Sequence, residues 1–340
     1  MKVVQLTPWY HPHLGGVETH VRRISEELEN LGCNVEIFTL TNSKQHNAKS
    51  FKHLFVPLVP EWLGLAPSPT LLTKVLGSNA EIVHAHSYGY PVVWAAALAR
   101  KLRGVRFVFT PHSDPYSKIY PLFDLTRAIP ARACDRLIAQ SKYEAERLQK
   151  IGAEPGKIRV IPNGLDVGCA GSRPIHDPYI LCLGRVVFRQ KGQDLLLRAY
   201  NQSNFSQKLV FAGDGPDLSR LRNLAAGDRN VLILGALYSD RKWAWLGHAD
   251  LVVVPSRTEA YGMVALEAIA MGRRLVVTKV GGLQHVATPY AVMAEPTSSS
   301  LAEAMGRALR ASFTSELKVP THSWSHAARE TLRVYDEIAQ

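Results

Sequence analysis

Cysteine is scarce in this chain. Its four, Cys33, Cys134, Cys169 and Cys182, are spread through 340 residues without a short paired spacing. That excludes a disulfide-stapled scaffold and a Cys-x-x-Cys metal or redox motif, and reduced thiols are expected. No apolar run approaches the ~20 residues that cross a bilayer, and the run after Met1-Lys2 is too short for a signal peptide. A soluble or peripheral, cytoplasmic protein is therefore expected. The spaced Gly-x-Gly-x-x-Gly dinucleotide fingerprint is missing. So is any disordered signature, at 46% hydrophobic and 20% charged residues.

What is present suits two ordinary domains, each with its own core. The net charge is +11, with +6 in residues 1–170 and +5 in 171–340. An excess spread this evenly suits anionic small molecules or an anionic surface better than nucleic acid, and equally suits a solvated basic exterior.

The most informative stretch is 255–272, Pro-Ser-Arg-Thr-Glu-Ala-Tyr-Gly-Met-Val-Ala-Leu-Glu-Ala-Ile-Ala-Met-Gly. It follows the apolar run 249–254, interrupted only by Asp250, and reads as strand end, loop and buried helix, with Gly272 at the helix C-terminus. Glu259 and Glu267 stand in apolar surroundings, where an ionised carboxylate is costly unless something donates to it. Sugar and ribose hydroxyls are suitable donors, and the amides near Tyr261, Gly262, Met263 and Val264 suit a phosphate. Structural pairing of Glu267 and solvation of Glu259 are the plain alternatives.

Elsewhere strands and helices alternate. Residues 3–6 read as a strand, and Gly15-Gly16 opens a helix over 17–31, with apolar residues at spacings of three and four. A glycine pair there lets backbone approach an anion, although most such pairs are turns. Residues 41–53 are basic and polar, followed by Phe55, Trp62 and Leu63. This segment and 117–134 are candidates for lipid contact or simply loop and solvated helix. His84 and His86 lie on a strand. As a His-x-His pair without a third ligand at suggestive spacing, they suit core and hydrogen-bonding roles rather than a metal. His112 follows the strand 107–109, placed either to meet a substrate hydroxyl or to bond backbone.

Residues 168–177, rich in Gly, Pro and Ser, mark a boundary, giving domains over 1–170 and 171–320 and a C-terminal helix over 321–340 expected to pack back on the first. In the second half, Gly184-Arg185 ends a strand and Lys191-Gly192 precedes a helix. Arg185 as a fork and Lys191 as a point charge can both face one diphosphate. The Gly235-Ala236-Leu237 backbone could line a nucleobase slot. Alternation in both halves implies an α/β protein with two doubly wound, Rossmann-like parallel sheets and ligands in a cleft at the strand C-terminal ends.

Taken together, Gly15-Gly16, His84-Ala85-His86, Pro111-His112-Ser113, Ile161 to Asp166, Gly184-Arg185 with Lys191-Gly192, Gly213-Asp214-Gly215-Pro216 and the two glutamates with seven residues between them are similar to family 4 of the retaining, nucleotide-sugar-dependent glycosyltransferases. The resemblance covers nearly the whole chain. It implies the glycosyltransferase B architecture and a hexosyltransferase acting from a UDP- or GDP-sugar onto a glycan, lipid or lipid-linked acceptor, as in small enzymes such as the phosphatidylinositol mannosyltransferases. It implies Glu259 on the donor sugar, Glu267 on the ribose, Gly16 and the 261–264 backbone on phosphate, Arg185 and Lys191 on the diphosphate, and His112 over the reacting sugar. No cofactor or metal is implied. Attachment at the inner face of the membrane is an accompanying expectation. The rival readings are a nucleotide-sugar epimerase and an inactive sugar-binding partner. Where the family commonly carries Glu after Gly281-Gly282, this chain has Gln284-His285.

Overall fold

A computed structural model describes residues 1–10, 15–40, 52–56, 68–88, 91–112, 124–312 and 323–340, without the side chains of 52–56 and 124–127. Most of the two segments considered for lipid contact, 41–65 and 117–134, lies outside the described residues. The chain forms two units, Met1–Gly164 with His322–Gln340, and Leu165–Thr321.

The first unit holds the strands β1 (Lys2–Thr7), β2 (Asn34–Leu40), β3 (Lys52–Val56), β4 (Ile82–His86), β5 (Arg106–Thr110), β6 (Arg136–Ala139) and β7 (Ile158–Val160). They form one sheet in the order β3-β2-β1-β4-β5-β6-β7, every neighbour parallel. Alternation along the strands separates the two faces. Val4, Leu6, Val83, Ala85, Phe107, Phe109, Leu137 and Ala139 enter one apolar core. The opposite face carries a buried polar row of Gln5, His84, His86 and Thr110. In the parallel register Gln5 lies beside His84, and His86 beside Thr110.

That polar row is covered by helices. The helix Gly16–Asn30 buries His20, Val21, Ile24 and Leu28. The C-terminal helix Trp324–Ala339, capped by the Ser323 hydroxyl, buries Trp324, Ala327, Ala328, Thr331, Val334, Tyr335 and Ile338 and packs on the first helix. A Cβ at Gly164 would lie 2.4 Å from the Trp324 amide nitrogen, so only glycine permits this approach. The helix Pro69–Gly77, capped by the Ser68 side chain, and the strand β3 were not apparent from the sequence.

The second unit holds β8 (Tyr179–Leu183), β9 (Lys208–Ala212), β10 (Val231–Ile233), β11 (Leu251–Val254), β12 (Leu275–Thr278) and β13 (Val292–Ala294), in the order β10-β9-β8-β11-β12-β13, again all parallel. Both faces are apolar, as a parallel sheet between helix layers requires. Ile180, Leu209, Phe211, Val253 and Val276 face one core, and Tyr179, Leu181, Val210, Val252, Val254 and Val277 the other. Asp250, the one charge ahead of β11, accepts the Tyr179 amide at 2.7 Å. Gly281-Gly282 begins the helix Gly281–Ala287.

Each sheet reverses its winding once, between β1 and β4 and between β8 and β11. Ligands of doubly wound sheets bind outside strand C-termini at these switch points.

Candidate functional site

At the second unit's switch point, the exits of β8, β9 and β10 are stacked through glycine. The Gly184 amide donates to Ala212 and the Gly213 amide to Gly235 at 2.7 Å. A Cβ on Gly213, at φ +152°, would meet the Gly184 carbonyl oxygen at 1.9 Å. This leaves backbone, not side chains, around the crevice. Arg185 leaves it with an exposed side chain that has no partner among the described residues. Leu237, read as a nucleobase-slot residue through its backbone, buries its side chain in the core.

The loop after β11 is held from three sides. Arg257 makes a bidentate pair with Asp194, at 2.6 and 2.8 Å, and its amide donates to Gln190. Gly192, at φ +67°, packs against the Pro255 carbonyl, where a Cβ would sit 2.1 Å from oxygen. The Gly282 amide donates to the Glu259 carbonyl at 2.9 Å. Lys191 Nζ lies 2.6 Å from Glu259 Oε2, and the Ser256 hydroxyl donates to the same oxygen at 3.3 Å. Lys191, read as facing a diphosphate beside Arg185, is thus paired with the other sequence-predicted residue. The helix Met263–Ala270 starts from Gly262 in the left-handed region, φ +95°, beside the buried Tyr261. The Val264 amide is one of its first-turn donors without an intrahelical acceptor.

Glu267, one turn into that helix, is buried. Its Oε1 accepts from Lys242 Nζ at 2.6 Å, and Lys242 also lies 4.5 Å from the Trp243 ring centre. Its Oε2 is buried without a hydrogen-bond partner. Desolvation raises the carboxyl above the usual range, and Lys242 opposes the rise. Lys242 and the Asp194–Arg257 clamp were not found from the sequence, because their partners lie 25 and 63 residues away.

In the first unit, four histidines gather over the polar row. His84 bonds Tyr335 Oη through Nδ1 and Thr110 Oγ1 through Nε2, each at 2.7 Å. His86 bonds Gln5 Oε1 through Nε2 at 2.7 Å and His112 Nε2 through Nδ1 at 2.9 Å. His112, at φ +57°, has its Nδ1 2.7 Å from Gln140 Nε2. Gln140 also donates to Asn163 Oδ1 at 2.9 Å, which His20 Nδ1 meets at 2.7 Å. Burial lowers all four imidazoles, His20 to about 4, so each is neutral near neutral pH.

Two sequence readings change here. Both ring nitrogens of His112 are engaged, so it has no free polar atom to offer a sugar. His20 joins His86 and His112, with ligand-capable atoms within 4.8 Å of one another, which supplies the third histidine that spacing did not reveal. Gly15 and Gly16 begin the helix as expected, and Gly16 has open space where a Cβ would be. A Cβ on Gly15, however, would lie 2.4 Å from Glu18 Oε2. That places an acid beside the helix start, whose negative charge disfavours an added phosphate.

Residues 14–168 match the model of Glycosyltransferase Family 4, and 177–311 match glycosyl transferases group 1. The chain is 25% identical to the phosphatidylinositol N-acetylglucosaminyltransferase GPI3 subunit of Saccharomyces cerevisiae, covering 99% of this chain and 83% of that protein. It is likewise 25% identical to the gpi3 subunit of the same transferase from Schizosaccharomyces pombe, covering 98% and 80%. Among solved structures, a glycosyltransferase from Rickettsia africae aligns with a TM-score of 0.75 at 20% identity, covering 100% and 98%. Anabaena Alr3699/HepE in complex with UDP aligns at 0.73 and 18%, with the same coverage.

Proposed function

Because the chain belongs to the glycosyltransferases, carrying a family 4 domain followed by a group 1 domain, we propose that it transfers a hexose from a nucleoside diphosphate sugar to a hydroxyl of a lipid or lipid-linked acceptor, with retention. The observation that carries this reading is Glu267 Oε2, a buried carboxylate oxygen with no donor at a sheet switch point. Such an orphan costs about 1–3 kcal/mol, which a ligand hydroxyl would recover. The ribose of the nucleotide supplies hydroxyls there. The diphosphate takes the Arg185 guanidinium, the Lys191 ammonium and the first-turn amides at Met263 and Val264.

The bond from the anomeric carbon to the diphosphate oxygen breaks with its electron pair leaving on phosphate, and the acceptor oxygen bonds on the same face. The acceptor proton passes to the departing phosphate. Arg185 and Lys191 stabilise the growing negative charge, and Glu259, held by Lys191 and Ser256, receives sugar hydroxyls. His112 offers a ring nitrogen to a ligand only after His86 or Gln140 releases it. Gly15 and Gly16 are left out of the phosphate site.

UDP-N-acetylglucosamine and phosphatidylinositol are the first substrates to offer, since relatives carry that activity in their names and a protein of this fold binds UDP. No described helix is long and apolar enough to cross a membrane. For a lipid acceptor the reading takes peripheral attachment, which a charge of +11 favours on an anionic surface. Radiolabelled transfer into phosphatidylinositol micelles tests the reading. Absence of turnover with UDP- and GDP-sugars alike contradicts it.

A further inference from the structure

The hydrogen-bond chain in the first unit has a direction that can be read atom by atom. Gln5 Oε1 is an acceptor, so the proton of its 2.7 Å bond lies on His86 Nε2. His86 is neutral, which makes Nδ1 a lone pair, and the 2.9 Å bond to His112 therefore carries its proton on His112 Nε2. His112 Nδ1 is then unprotonated and accepts from Gln140 Nε2. The second Gln140 N–H goes to Asn163 Oδ1, and the same oxygen takes the Nδ1–H of His20. Every nitrogen of His86 and His112 is consumed. His20 Nε2 remains, unprotonated and without a partner among the described residues.

A metal held by His20, His86 and His112 needs a lone pair on all three inward nitrogens. Freeing His112 Nε2 moves its proton to Nδ1, which turns the Gln140 amide over, then that of Asn163, and so protonates His20 Nε2. As wired, with His112 Nε2 on His86 and Nδ1 on Gln140, the cluster does not present the three free lone pairs that a typical zinc site takes from its protein ligands.

We propose that His20 is a substrate-contacting residue whose Nε2 accepts a hydrogen bond from a hydroxyl of the sugar or polyol substrate, and that the Gln5–His86–His112–Gln140–Asn163 chain is the device that keeps that nitrogen unprotonated. The placement supports it. His20 sits in the second turn of the helix that follows β1, beside the β1/β4 switch point, where ligands of such sheets bind. His20 is a buried residue, and an imidazole lone pair with no protein donor is the open valence that a ligand hydroxyl would close. The contact's catalytic use rests on the glycosyl-transfer reading, but the tautomer pattern does not.

Nitrogen NMR on histidine-labelled protein near neutral pH reads the tautomers directly. Expected are Nδ1–H on His20 and Nε2–H on both His86 and His112. In Gln140→Glu the carboxylate accepts from both neighbours, so His112 gains a proton on Nδ1, Asn163 turns over, and His20 switches to Nε2–H although Gln140 does not touch it. An Nε2–H His20 in the wild type, or no switch in Gln140→Glu, overturns the proposal. In turnover with UDP-N-acetylglucosamine and phosphatidylinositol micelles, both His20→Ala and Gln140→Glu should lose roughly tenfold or more in kcat/KM for the acceptor at unchanged UDP affinity. Wild-type-like turnover in His20→Ala overturns the contact. A wild type that transfers nothing contradicts the glycosyl-transfer reading instead, while the NMR pattern, needing no turnover, still decides the wiring.

Discussion

Glu267→Gln separates nucleotide binding from folding. Glu267 is buried, with one oxygen on Lys242 at 2.6 Å and the other on nothing. If ribose hydroxyls donate to it, each bond is charge-assisted and worth about 1.5–3 kcal/mol, so neutralising the acceptor should weaken binding about 10- to 150-fold. The empty protein should barely respond. Glutamine keeps an oxygen toward Lys242, whose side chain is 26% exposed, and removes a desolvated charge, so stability should stay within about 1 kcal/mol. The pH dependence has a definite sign. Desolvation raises this carboxyl in the free protein, and bound hydroxyls favour its ionised form. Affinity is therefore full above the raised value and falls as pH drops through it, whereas Glu267→Gln gives a flat profile. Calorimetric titration with UDP and GDP, beside thermal melting, reads both effects. A nucleotide Kd within about threefold of the wild type's would refute the reasoning, as would a binding loss explained by unfolding.

Other outcomes follow from the same contacts. Lys191→Ala should cut kcat/KM about 100-fold or more while the melting temperature moves little, because its pair with Glu259 is partly exposed; transfer assays beside melting curves check this. Burial lowers His20 from its ordinary 6.5 to about 4, so its contribution to stability is intact above about pH 6.5 and is lost as pH falls, about 2 kcal/mol by about pH 5. Urea titrations across that range should show the loss, and Gln in place of His20 should reduce it. Arg257 and Arg198 lower Asp194 against its desolvation, so that pair stabilises above the ordinary Asp value and fails only as pH falls below about 4; Asp194→Asn should remove the acid-limb component seen by calorimetry. Gly192→Ala places a Cβ 2.1 Å from the Pro255 oxygen at a left-handed φ, and should cost about 2–4 kcal/mol in urea unfolding.

The parallel α/β architecture was legible because buried strands such as Tyr179–Leu183 are apolar on both faces and helices such as Gly16–Asn30 keep a three-four spacing. The loop and helix carrying Glu259 and Glu267 were legible for the same reason, since an acid in an apolar helix stands out. What stayed hidden depends on contacts distant in sequence. Lys242 looks like any surface lysine until it meets Glu267. His20 occupies an ordinary helix position, and Tyr335 reaches His84 across 251 residues. The strand Lys52–Val56 was obscured by its Lys and His, which weaken an apolar pattern.

The most direct trial of the whole account is the product itself: wild-type protein, UDP-N-acetylglucosamine and phosphatidylinositol micelles, with the glycolipid's anomeric proton coupling read by NMR. The account predicts one UDP released per glycoside formed, with the donor's anomeric configuration kept. Free epimerised sugar, or a glycoside of inverted configuration, would contradict it.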